Sequence, residues 1–487
     1  MRFLHPEHDE ALEVSLADVF IVPNRFDGAS RLDVDLTPAD FLGGSHPVVA
    51  ANMNAVTGKR MAETMARYGG LGVLPQDMDL RTVERIVRHV KRANVRFDTP
   101  LCVTRDATLR DVQGIIRKRA HDMVLVVDET ARLIGILTRA DIRDHDQYTL
   151  VERVMSRRLV TLSKNTSNRE AYDLMESERL KAVPVVDDVG VLVGILTRDD
   201  AVRLEVIRPS VNQDGALMVA AAVGISSKVA DHAARLVELG VDVLVIDTAH
   251  GHQRKMLEAI SAVRKQVATR VPIVAGNVCT AEGTEALCDA GADIVKVNVG
   301  PGAMCTTRMQ TGVGRPTFSS VRACAEAARR LNKHVWADGG VQFPRDVALY
   351  LAAGASRVMV GTLLAGTYES PGDIKEDREG RLYKENYGMA SARAVTDRTT
   401  GLGRFEQAQR LLFEEGISTS RVYLREGRES VGAILVEILT GLRSAFAYVG
   451  ARTCEAFYEG AVVGIQTASG FKEGRAKPEG IRNDARS

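Results

Sequence analysis

A cysteine inside a glycine-rich segment is the residue of this chain whose surroundings best suit a nucleophile. Cys305 lies in the segment Gly300–Arg308, where two glycines and a proline precede it. Glycine lets a loop approach a ligand closely and adopt positive φ, and backbone N–H groups of such a loop can favour a thiolate. Cys288 and Cys324 lie in helical patterns instead, where buried structural thiols are expected. The sequence therefore predicts that Cys305 is a catalytic nucleophile.

Two further glycine-containing segments could bind a phosphate. Asp338–Gly340 and Gly361–Thr362 each follow a short apolar segment. Phosphate sites in barrel enzymes use backbone N–H donors of the loops after the seventh and eighth strands. The predicted phosphate ligands are Gly339, Gly340, Gly361 and Thr362. The carboxylate of Asp338 beside them could accept hydrogen bonds from ribose hydroxyls.

Eight short apolar segments, several of which lead into amphipathic runs, would position these residues. The predicted strands are Val48–Ala51, Gly70–Val73, Met218–Ala222, Val243–Asp247, Ile273–Ala275, Ile294–Val297, Val335–Ala337 and Val358–Val360. The predicted helices include Ser227–Leu239, Gln253–Val267, Ala281–Ala290, Phe343–Ala353 and a closing helix, Val431–Tyr448. Apolar strands that alternate with helices indicate a parallel sheet, and eight of them match an α/β (β/α)₈ TIM barrel. A doubly wound open sheet is the alternative, but no predicted strand is followed by G-x-G-x-x-G.

The ends of these strands carry an unusual number of polar and glycine residues. They are Asn52, Asp247, Asn277, Asp338 and Gly361. In a barrel the carboxyl ends of all strands share one rim, and active sites lie there. Asn and Asp also favour turns, but five such positions exceed what turns alone need, so the sequence predicts one site at this rim.

An insertion between the second and third strands, residues 92–209, contains an internal repeat. Val124–Asp128 with Gly135–Asp141 forms the first copy, and Val183–Asp187 with Gly194–Asp200 forms the second. Each copy predicts a strand, a turn, a second strand and the start of a helix capped by aspartate. The repeat resembles a pair of cystathionine-β-synthase motifs, which commonly bind adenine or guanine nucleotides. The resemblance implies ribose contacts at Thr138, Asp141, Thr197 and Asp200, unless each aspartate is only a helix cap.

Six motifs of the remaining chain, residues 1–91 and 210–487, together resemble the IMP dehydrogenase and GMP reductase family. They are Asp247–His252, Ala275–Val278, Gly300–Arg308, Ala337–Gly340, Tyr387–Met389 and Glu415–Gly416. The match covers almost the whole chain. The resemblance implies that Cys305 attacks C2 of a purine nucleotide, that Asp338 holds its ribose, and that Asp247 meets the ribose of a nicotinamide cofactor.

The same resemblance implies a wider set of contacts. Substrate contacts are expected at Met53, Asn277, Gly302, Asp338, Gly339, Gly340, Gly361, Thr362, Tyr387, Gly388, Met389, Glu415 and Gly416. Cofactor contacts are expected at Asp247, Thr248 and Ala249. A monovalent cation, K⁺, is expected at the backbone carbonyls of Gly300, Gly302 and Cys305.

The two reactions of this family would share one covalent thioimidate at Cys305. A dehydrogenase passes hydride to NAD and then hydrolyses the adduct, whereas a reductase releases ammonia and receives hydride from NADPH. Dehydrogenases activate water with an Arg-Tyr pair, but here Arg404 precedes Phe405, which has no hydroxyl. The segments Thr311–Gly314 and Tyr387–Ser391 also look like those of the reductases.

Several positions depart from the family pattern. Ala392 stands where reductases have a catalytic glutamate, Ala303 replaces a phosphate-binding serine, and Asn54 replaces an aspartate. Paired sensing motifs are also commoner among the dehydrogenases. The sequence nevertheless favours conversion of GMP to IMP and ammonia with NADPH, in which the Thr307 hydroxyl relays a proton to the leaving amine. The alternatives are an IMP dehydrogenase that uses NAD and a non-catalytic purine nucleotide sensor.

Composition narrows the partners. The net charge of +1 gives no reason to expect nucleic acid, and no window approaches ~18 uninterrupted apolar residues, so no membrane is expected. Six cysteines without C-x-x-C spacing and an N-terminus without a signal peptide predict a cytoplasmic protein. His250 and His252 lack clustered carboxylates, which disfavours a metal-dependent hydrolase. We expect ATP or GTP as regulators of the insertion and a homotetramer or octamer.

Overall fold

Eight parallel strands close into a barrel at the centre of the computed structural model, which describes residues 1–5, 12–387, 403, 405 and 420–474. The strands are β1 (Val48–Ala50), β2 (Leu71–Leu74), β3 (Ala220–Val223), β4 (Val243–Asp247), β5 (Ile273–Val278), β6 (Ile294–Val297), β7 (His334–Asp338) and β8 (Arg357–Val360). Each pairs in parallel with the next, and β8 pairs with β1. The predicted (β/α)₈ barrel is confirmed. The largest difference from the predicted bounds lies at β5, which continues to Val278.

A helix follows each barrel strand and covers the outside of the barrel. The helices are α1 (Lys59–Arg67), α2 (Leu80–Arg92), α3 (Val229–Glu238), α4 (Arg254–Val267), α5 (Ala281–Asp289), α6 (Thr317–Arg330), α7 (Pro344–Ala352) and α8 (Val431–Val449). The amphipathic pattern explains their placement. In α2, for example, Val83, Ile86, Val87 and Val90 recur at helical spacing and are buried.

Helix α8 closes the ring of helices. It is long and apolar enough to cross a membrane by length and composition. One face is nonetheless buried against α7, with Ile434, Leu435 and Ile438 in the core. Helix α8 is therefore a core helix of the barrel.

Short elements extend the barrel at several points. The strands Arg2–Phe3, Val19–Ile21 and Val462–Ile465 form one small sheet, and Lys375–Glu376, Leu382–Asn386 and Ser420–Tyr423 form another. The remaining short helices of this part are Arg31–Asp33, Thr307–Thr311, Thr362–Ala365, Cys454–Gly460 and Ala468–Glu473. Along the chain, the second sheet comes after β8 and before the closing helix α8.

The segment between α2 and β3 forms two similar units. The first contains strands Cys102–Val103, Met123–Val127 and Leu133–Thr138, with helices Leu109–Ile115, Ile116–Lys118 and Val151–Val154. The second contains strands Leu162–Ser163, Ala182–Val186 and Leu192–Thr197, with helices Asn168–Ser177 and Arg198–Arg203. In both units the second and third strands form an antiparallel hairpin. We refer to these two units together as the insertion.

The structure corrects two local predictions for these units. In the first unit residues 139–145 form turns and a bend rather than the start of a helix. In the second unit the helix is present, but Thr197 is its N-cap and accepts a hydrogen bond from the backbone N–H of Asp200. The threonine of each Thr-x-x-Asp segment ends a strand, and a hydroxyl can cap a helix as well as a carboxylate can.

A buried ionic network joins the insertion to α1. Glu63 of α1 is fully buried and pairs with Arg67 of the same helix and with Arg119 of the first unit. Asp98 accepts hydrogen bonds from both arginines, at 2.9 Å from Arg67 and 2.7 Å from Arg119. The charges of Arg119 and Arg67 outweigh the burial of Glu63 and hold its pKa well below the usual range. Burial of Glu63 without these partners would be costly, so the network favours contact between the insertion and the barrel.

Candidate active site

A chain of hydrogen bonds connects four strand ends at the rim of the barrel. Lys296 of β6 lies at its centre, where its ammonium is 2.9 Å from the Asp247 carboxylate and 2.6 Å from the Asp338 carboxylate. Asn52 donates a hydrogen bond to Asp247 at 3.1 Å, and Asn277 donates one to Asp338 at 3.0 Å. Four of the five strand-end residues that the sequence predicted are therefore linked, and Gly361 lies outside this chain of contacts.

Lys296 is a residue that the sequence analysis missed. Its side chain is 3 % exposed and lies among the apolar residues of β6. Burial lowers the pKa of the Lys296 ammonium, but the charges of Asp247 and Asp338 outweigh burial and raise this pKa above its usual value. The side chain therefore stays charged and holds both carboxylates. The signal in the sequence was a single charged residue in an otherwise apolar strand.

Two asparagines place polar atoms beside Asp338. Asn298 adopts a φ of 108°, which non-glycine residues rarely do, and donates to the Asp338 carbonyl at 3.3 Å. Asn277 also donates to the Asn298 carbonyl at 2.7 Å. The side-chain oxygens of both asparagines are buried and have no partner among the residues that the structure describes. Buried acceptors rarely stay unsatisfied, so these oxygens suit the donor groups of a bound ligand.

The nucleophile lies in an open loop after β6. Cys305 is exposed, its backbone N–H donates to the Gly302 carbonyl at 2.9 Å, and its sulfur lies 3.4 Å from the Thr307 hydroxyl. Thr307 begins the short helix Thr307–Thr311. In this contact the thiol donates to the Thr307 oxygen, so the hydroxyl lies beside the sulfur. The proton relay through Thr307 stays a prediction.

The pKa of each of the other five cysteines is raised above the usual value of a thiol, although Cys102 is itself exposed. Desolvation raises the pKa of Cys102 and Cys288 to about 11 and that of Cys324 and Cys454 to about 12. Desolvation is also the largest effect on Cys279, whose pKa is raised. These thiols stay protonated near neutral pH, and a thiol is a weak nucleophile.

The glycine pair after β7 packs against the cysteine loop. Gly339 and Gly340 have φ values of 81° and 77°. A Cβ at Gly339 would lie 3.6 Å from the Gly302 backbone, and one at Gly340 would lie 3.1 Å from the Tyr350 hydroxyl and 3.3 Å from Pro301. The Tyr350 hydroxyl donates to the Gly339 carbonyl at 3.0 Å. The positive φ values disfavour side chains at both positions, so the backbone remains free to face a ligand.

The loop after β8 lies beside the loop after β1. A Cβ at Gly361 would be 3.4 Å from the sulfur of Met53. Gly361 precedes the short helix Thr362–Ala365. The structure thus brings Met53 next to Gly361, one of the predicted phosphate residues.

The predicted cofactor residues form the loop after β4. The side chain of Asp247 is 18 % exposed, and Ala249 and His250 are exposed. Thr248 exchanges backbone hydrogen bonds with β5, donating to Gly276 and accepting from Asn277. A carboxylate held by Lys296 and still partly open to solvent suits ribose hydroxyls, so these residues fit the predicted nicotinamide cofactor.

Several predicted residues cannot be placed. Gly388, Met389, Glu415 and Gly416 lie outside the described residues, as do Ala392 and Arg404. Tyr387 lies directly after the strand Leu382–Asn386. The predicted K⁺ site stays a prediction, although the Gly302 carbonyl already accepts the Cys305 N–H. Within the described part of the chain, no cluster of three or more His, Cys, Asp or Glu side chains could hold a metal ion.

The four predicted ribose positions of the insertion differ between the two units. Asp141 is partly exposed and accepts hydrogen bonds from the Thr138 backbone and hydroxyl. Asp200 is 7 % exposed and accepts from Thr197, from Arg203 at 2.9 Å and from the Tyr68 hydroxyl of the barrel at 2.7 Å. In this structure the Asp200 carboxylate therefore already has partners, and a ribose would have to displace one of them.

Comparison with known proteins gives the family. Residues 13–477 match the model of the IMP dehydrogenase / GMP reductase domain. The GMP reductase of Mycobacterium tuberculosis is 49 % identical over 480 residues, covering 99 % of this chain and 100 % of that protein. The inosine-5'-monophosphate dehydrogenase of Bacillus subtilis is 37 % identical over 465 residues, covering 94 % of this chain and 93 % of that protein.

A solved structure agrees. A variant of GMP reductase from Trypanosoma brucei in complex with guanosine 5'-monophosphate matches with a TM-score of 0.68 and 33 % identity, covering 98 % of this chain and 100 % of that one. The chain belongs to the IMP dehydrogenase / GMP reductase family, and it is an oxidoreductase. The family predicted from the sequence motifs is confirmed.

Proposed function

We propose that this protein is a GMP reductase, which converts GMP to IMP and ammonia with a reduced nicotinamide cofactor. The observation that carries the proposal is the exposed Cys305 beside Thr307, in a loop packed on the glycine pair that follows Asp338. The identity of 49 % to a GMP reductase over almost the whole chain favours this member of the family.

In the proposed reaction the Cys305 sulfur adds to C2 of GMP. The bond between C2 and the exocyclic nitrogen then breaks, and the amine leaves as ammonia after it gains a proton through the Thr307 hydroxyl. This gives a covalent thioimidate between Cys305 and the purine. When bound, the cofactor supplies a hydride to C2, and the bond between sulfur and C2 breaks to release IMP and the free cysteine.

The rim residues would hold the reactants in place. Asp338 and the buried oxygen of Asn277 would accept hydrogen bonds from the substrate, and Gly339 and Gly340 would direct N–H groups at its phosphate. Lys296 would keep the Asp338 and Asp247 carboxylates charged and fixed. Preorganised polar groups lower the barrier because they need no reorganisation when charge develops.

The cofactor is proposed to be NADPH, bound at Asp247, Thr248 and Ala249. The phenylalanine at position 405 supports the reductive direction because it offers no hydroxyl to activate water. Its side chain is exposed in the structure.

We further propose ATP or GTP as regulators bound at Thr138 and Asp141 of the insertion. A GMP reductase from Trypanosoma brucei solved in complex with guanosine 5'-triphosphate, at 31 % identity and a TM-score of 0.58, supports a guanine nucleotide. The K⁺ site, the tetramer or octamer and the cytoplasmic location remain part of this proposal.

One assay tests the reaction and its direction. The purified full chain is mixed with GMP and NADPH in one cuvette and with IMP and NAD in another, and the absorbance of the reduced nicotinamide is followed. We expect consumption of NADPH with release of ammonia in the first cuvette and no formation of XMP in the second. Robust XMP production would instead assign the protein as an IMP dehydrogenase. Inactivity in both cuvettes, with nucleotide binding intact, would favour a non-catalytic sensor.

A further inference from the structure

A cavity lies between the first unit of the insertion and residues 368–384, which follow β8. Its volume is about 530 Å³, which is within the usual range of small-molecule sites. Neither Thr138 nor Asp141 lines it, although their neighbours Arg139 and Ile142 do. The cavity therefore adjoins the proposed regulatory site without containing its predicted ribose contacts. None of the rim residues described above lines it either.

The wall of this cavity is strongly cationic. Its charged side chains are Arg117, Lys118, Arg139, Arg143, Lys384 and a single carboxylate, Asp373. Arg117 and Arg143 make no side-chain hydrogen bond or ion pair with any residue that the structure describes. Lys118 lies 3.8 Å from Asp373, and Arg139 pairs with Asp122. The cations of the cavity are therefore only partly neutralised by the protein.

Lys384 is the most informative of these cations because it is buried. Its side chain is 2 % exposed, and its ammonium donates to the carbonyls of Ser370 at 2.7 Å and Tyr368 at 3.2 Å. Neither partner carries a charge. Burial and the neighbouring Arg60 lower the pKa of Lys384 to about 7. A buried ammonium held only by carbonyls is costly, and an anion beside it would offset that cost.

We propose that this cavity binds a small, multiply phosphorylated anion. Arg117 and Arg143, which have no partner among the described residues, lie near the partly neutralised Lys118, Arg139 and Lys384. This arrangement favours several negative charges in a small volume, as a chain of phosphates provides. Arginine is suited to phosphate because its planar guanidinium can donate two parallel hydrogen bonds. The ligand would contact both the insertion and the strand Leu382–Asn386. That strand leads directly into Tyr387, so the anion would fix the start of the predicted phosphate-binding segment.

The test uses inorganic tripolyphosphate as the probe and the full chain as the protein. Calorimetry should detect binding of one tripolyphosphate per chain, weakened when salt is raised from about 0.05 M to about 0.5 M. The double variant Arg117→Ala/Arg143→Ala should weaken binding by roughly tenfold or more, because two charge-assisted contacts are removed. The matched control is Arg110→Ala, which removes an exposed arginine of the neighbouring helix Leu109–Ile115 that does not line the cavity.

A second variant separates this cavity from the proposed regulatory site. Asp141→Ala removes a predicted ribose contact and should leave the tripolyphosphate affinity unchanged. In the Asp141→Ala variant, ATP and GTP serve as further probes. If they bind more tightly than tripolyphosphate, the ligand of the cavity is a nucleoside triphosphate. If they bind equally tightly, the cavity recognises the phosphate chain alone. The proposal is overturned if tripolyphosphate does not bind at low salt, if the double variant binds it like the wild type, or if Asp141→Ala abolishes binding. None of these readouts depends on turnover, so they stand apart from the proposed reductase activity.

Discussion

The nucleophile prediction is the most direct one at the scale of single residues. Cys305→Ser keeps the size of the side chain but replaces the sulfur with a poorly nucleophilic hydroxyl. We expect turnover of GMP to fall by roughly 10³-fold or more, while GMP binding measured by calorimetry stays near the wild-type value. Cys279→Ser is the control, because desolvation raises the pKa of that thiol. Near-normal turnover of Cys305→Ser would show that another group attacks the purine.

Thr307 is predicted to act on one step rather than on binding. Its hydroxyl lies 3.4 Å from the Cys305 sulfur and is proposed to pass a proton to the leaving amine. Thr307→Ala should therefore lower kcat by roughly 10²-fold with a smaller change in the KM for GMP, and Thr307→Ser should recover much of the loss. Rapid-quench measurement of ammonia release checks the step. A variant that changed KM alone would limit Thr307 to a role in binding.

Lys296 holds two carboxylates that face each other across the barrel mouth. Lys296→Met leaves Asp247 and Asp338 without their shared counterion, and breaking a buried ion pair costs about 3–5 kcal/mol. We expect a loss of unfolding free energy of that order and a raised KM for both GMP and the cofactor. The control is Lys333→Met, whose half-exposed pair with Asp293 should contribute only about 0–1 kcal/mol. Equal stability losses in the two variants would contradict the proposed role.

The sequence predicted the rim residues unevenly, and the reason is physical. Cys305, Asp338 and the glycines follow strand ends, where local patterns indicate loops. Lys296 lies inside a strand, and its role depends on two carboxylates from other strands that approach it only after the barrel closes. Asn298 likewise adopts its φ of 108° without any local sequence signal. Residues whose function depends on distant partners could not be predicted from spacing.

At the scale of elements, the predicted strands and helices agree closely with the structure because a buried parallel strand is apolar along its whole length. The helix expected after Thr138 is absent. Asp141 bonds back to the Thr138 backbone and hydroxyl, and residues 139–145 form turns and a bend. The same Thr-x-x-Asp pattern starts a helix after Thr197, so the motif by itself does not decide between the two outcomes.

The start of α8 carries a pH-sensitive contact. Glu369 is 3 % exposed and accepts a hydrogen bond from the backbone N–H of Val431 at 2.9 Å. Burial raises its pKa from 4.5 to about 6. The folded state therefore binds this proton more tightly than the unfolded state does, so stability should fall as pH rises from about 4.5 to about 6 and then level off. The expected change is about 2 kcal/mol.

Urea titrations across that pH range measure the effect. Glu369→Gln cannot ionise and should lose this part of the pH dependence, whereas Glu426→Gln, at an exposed position, should keep it. The two proteins are compared by the difference in their unfolding free energies. If the wild type gains stability relative to Glu369→Gln between pH 4.5 and pH 6, the pKa of Glu369 is not raised.

Removing a single oxygen atom should weaken the contact between the end of α1 and the second unit of the insertion. Tyr68→Phe removes the hydroxyl that donates to Asp200 at 2.7 Å and should cost about 1–2 kcal/mol of stability. If a ribose competes with Tyr68 for Asp200, the same variant should bind ATP or GTP more tightly, by roughly tenfold at most. Tyr172→Phe is the control, because the described partners of the Asp200 side chain are Thr197, Arg203 and Tyr68 and do not include Tyr172. Unchanged nucleotide affinity in Tyr68→Phe would show that the second unit does not use Asp200 for ribose.

At the scale of the whole molecule, the insertion and the barrel share buried charges. Arg119 and Asp98 of the insertion meet Glu63 and Arg67 of α1 in one network, and these residues lie far apart in the sequence. The internal repeat predicted that an insertion exists, but no local pattern indicated which face of the barrel it would contact. Such a contact is specified by complementary charges on two separately folded surfaces, which is why the sequence analysis could not place it.

Deleting the insertion therefore has two separable consequences. Replacing residues 92–209 with a short glycine linker leaves every rim residue in place, so GMP reductase activity should survive, but any response to ATP or GTP should be lost. The deletion also removes Arg119 and Asp98, which leaves Glu63 with only Arg67 and His89 of α2 among its described partners. Because α1 packs against β2, the barrel should unfold at a lower denaturant concentration, with a loss of about 1–3 kcal/mol of unfolding free energy.

The full-length variant Glu63→Gln isolates this loss of stability, since it breaks the network while keeping the proposed nucleotide sites. If activity disappears in the deletion but survives in Glu63→Gln at equal stability, the insertion contributes directly to catalysis and its assignment as a purely regulatory unit is wrong.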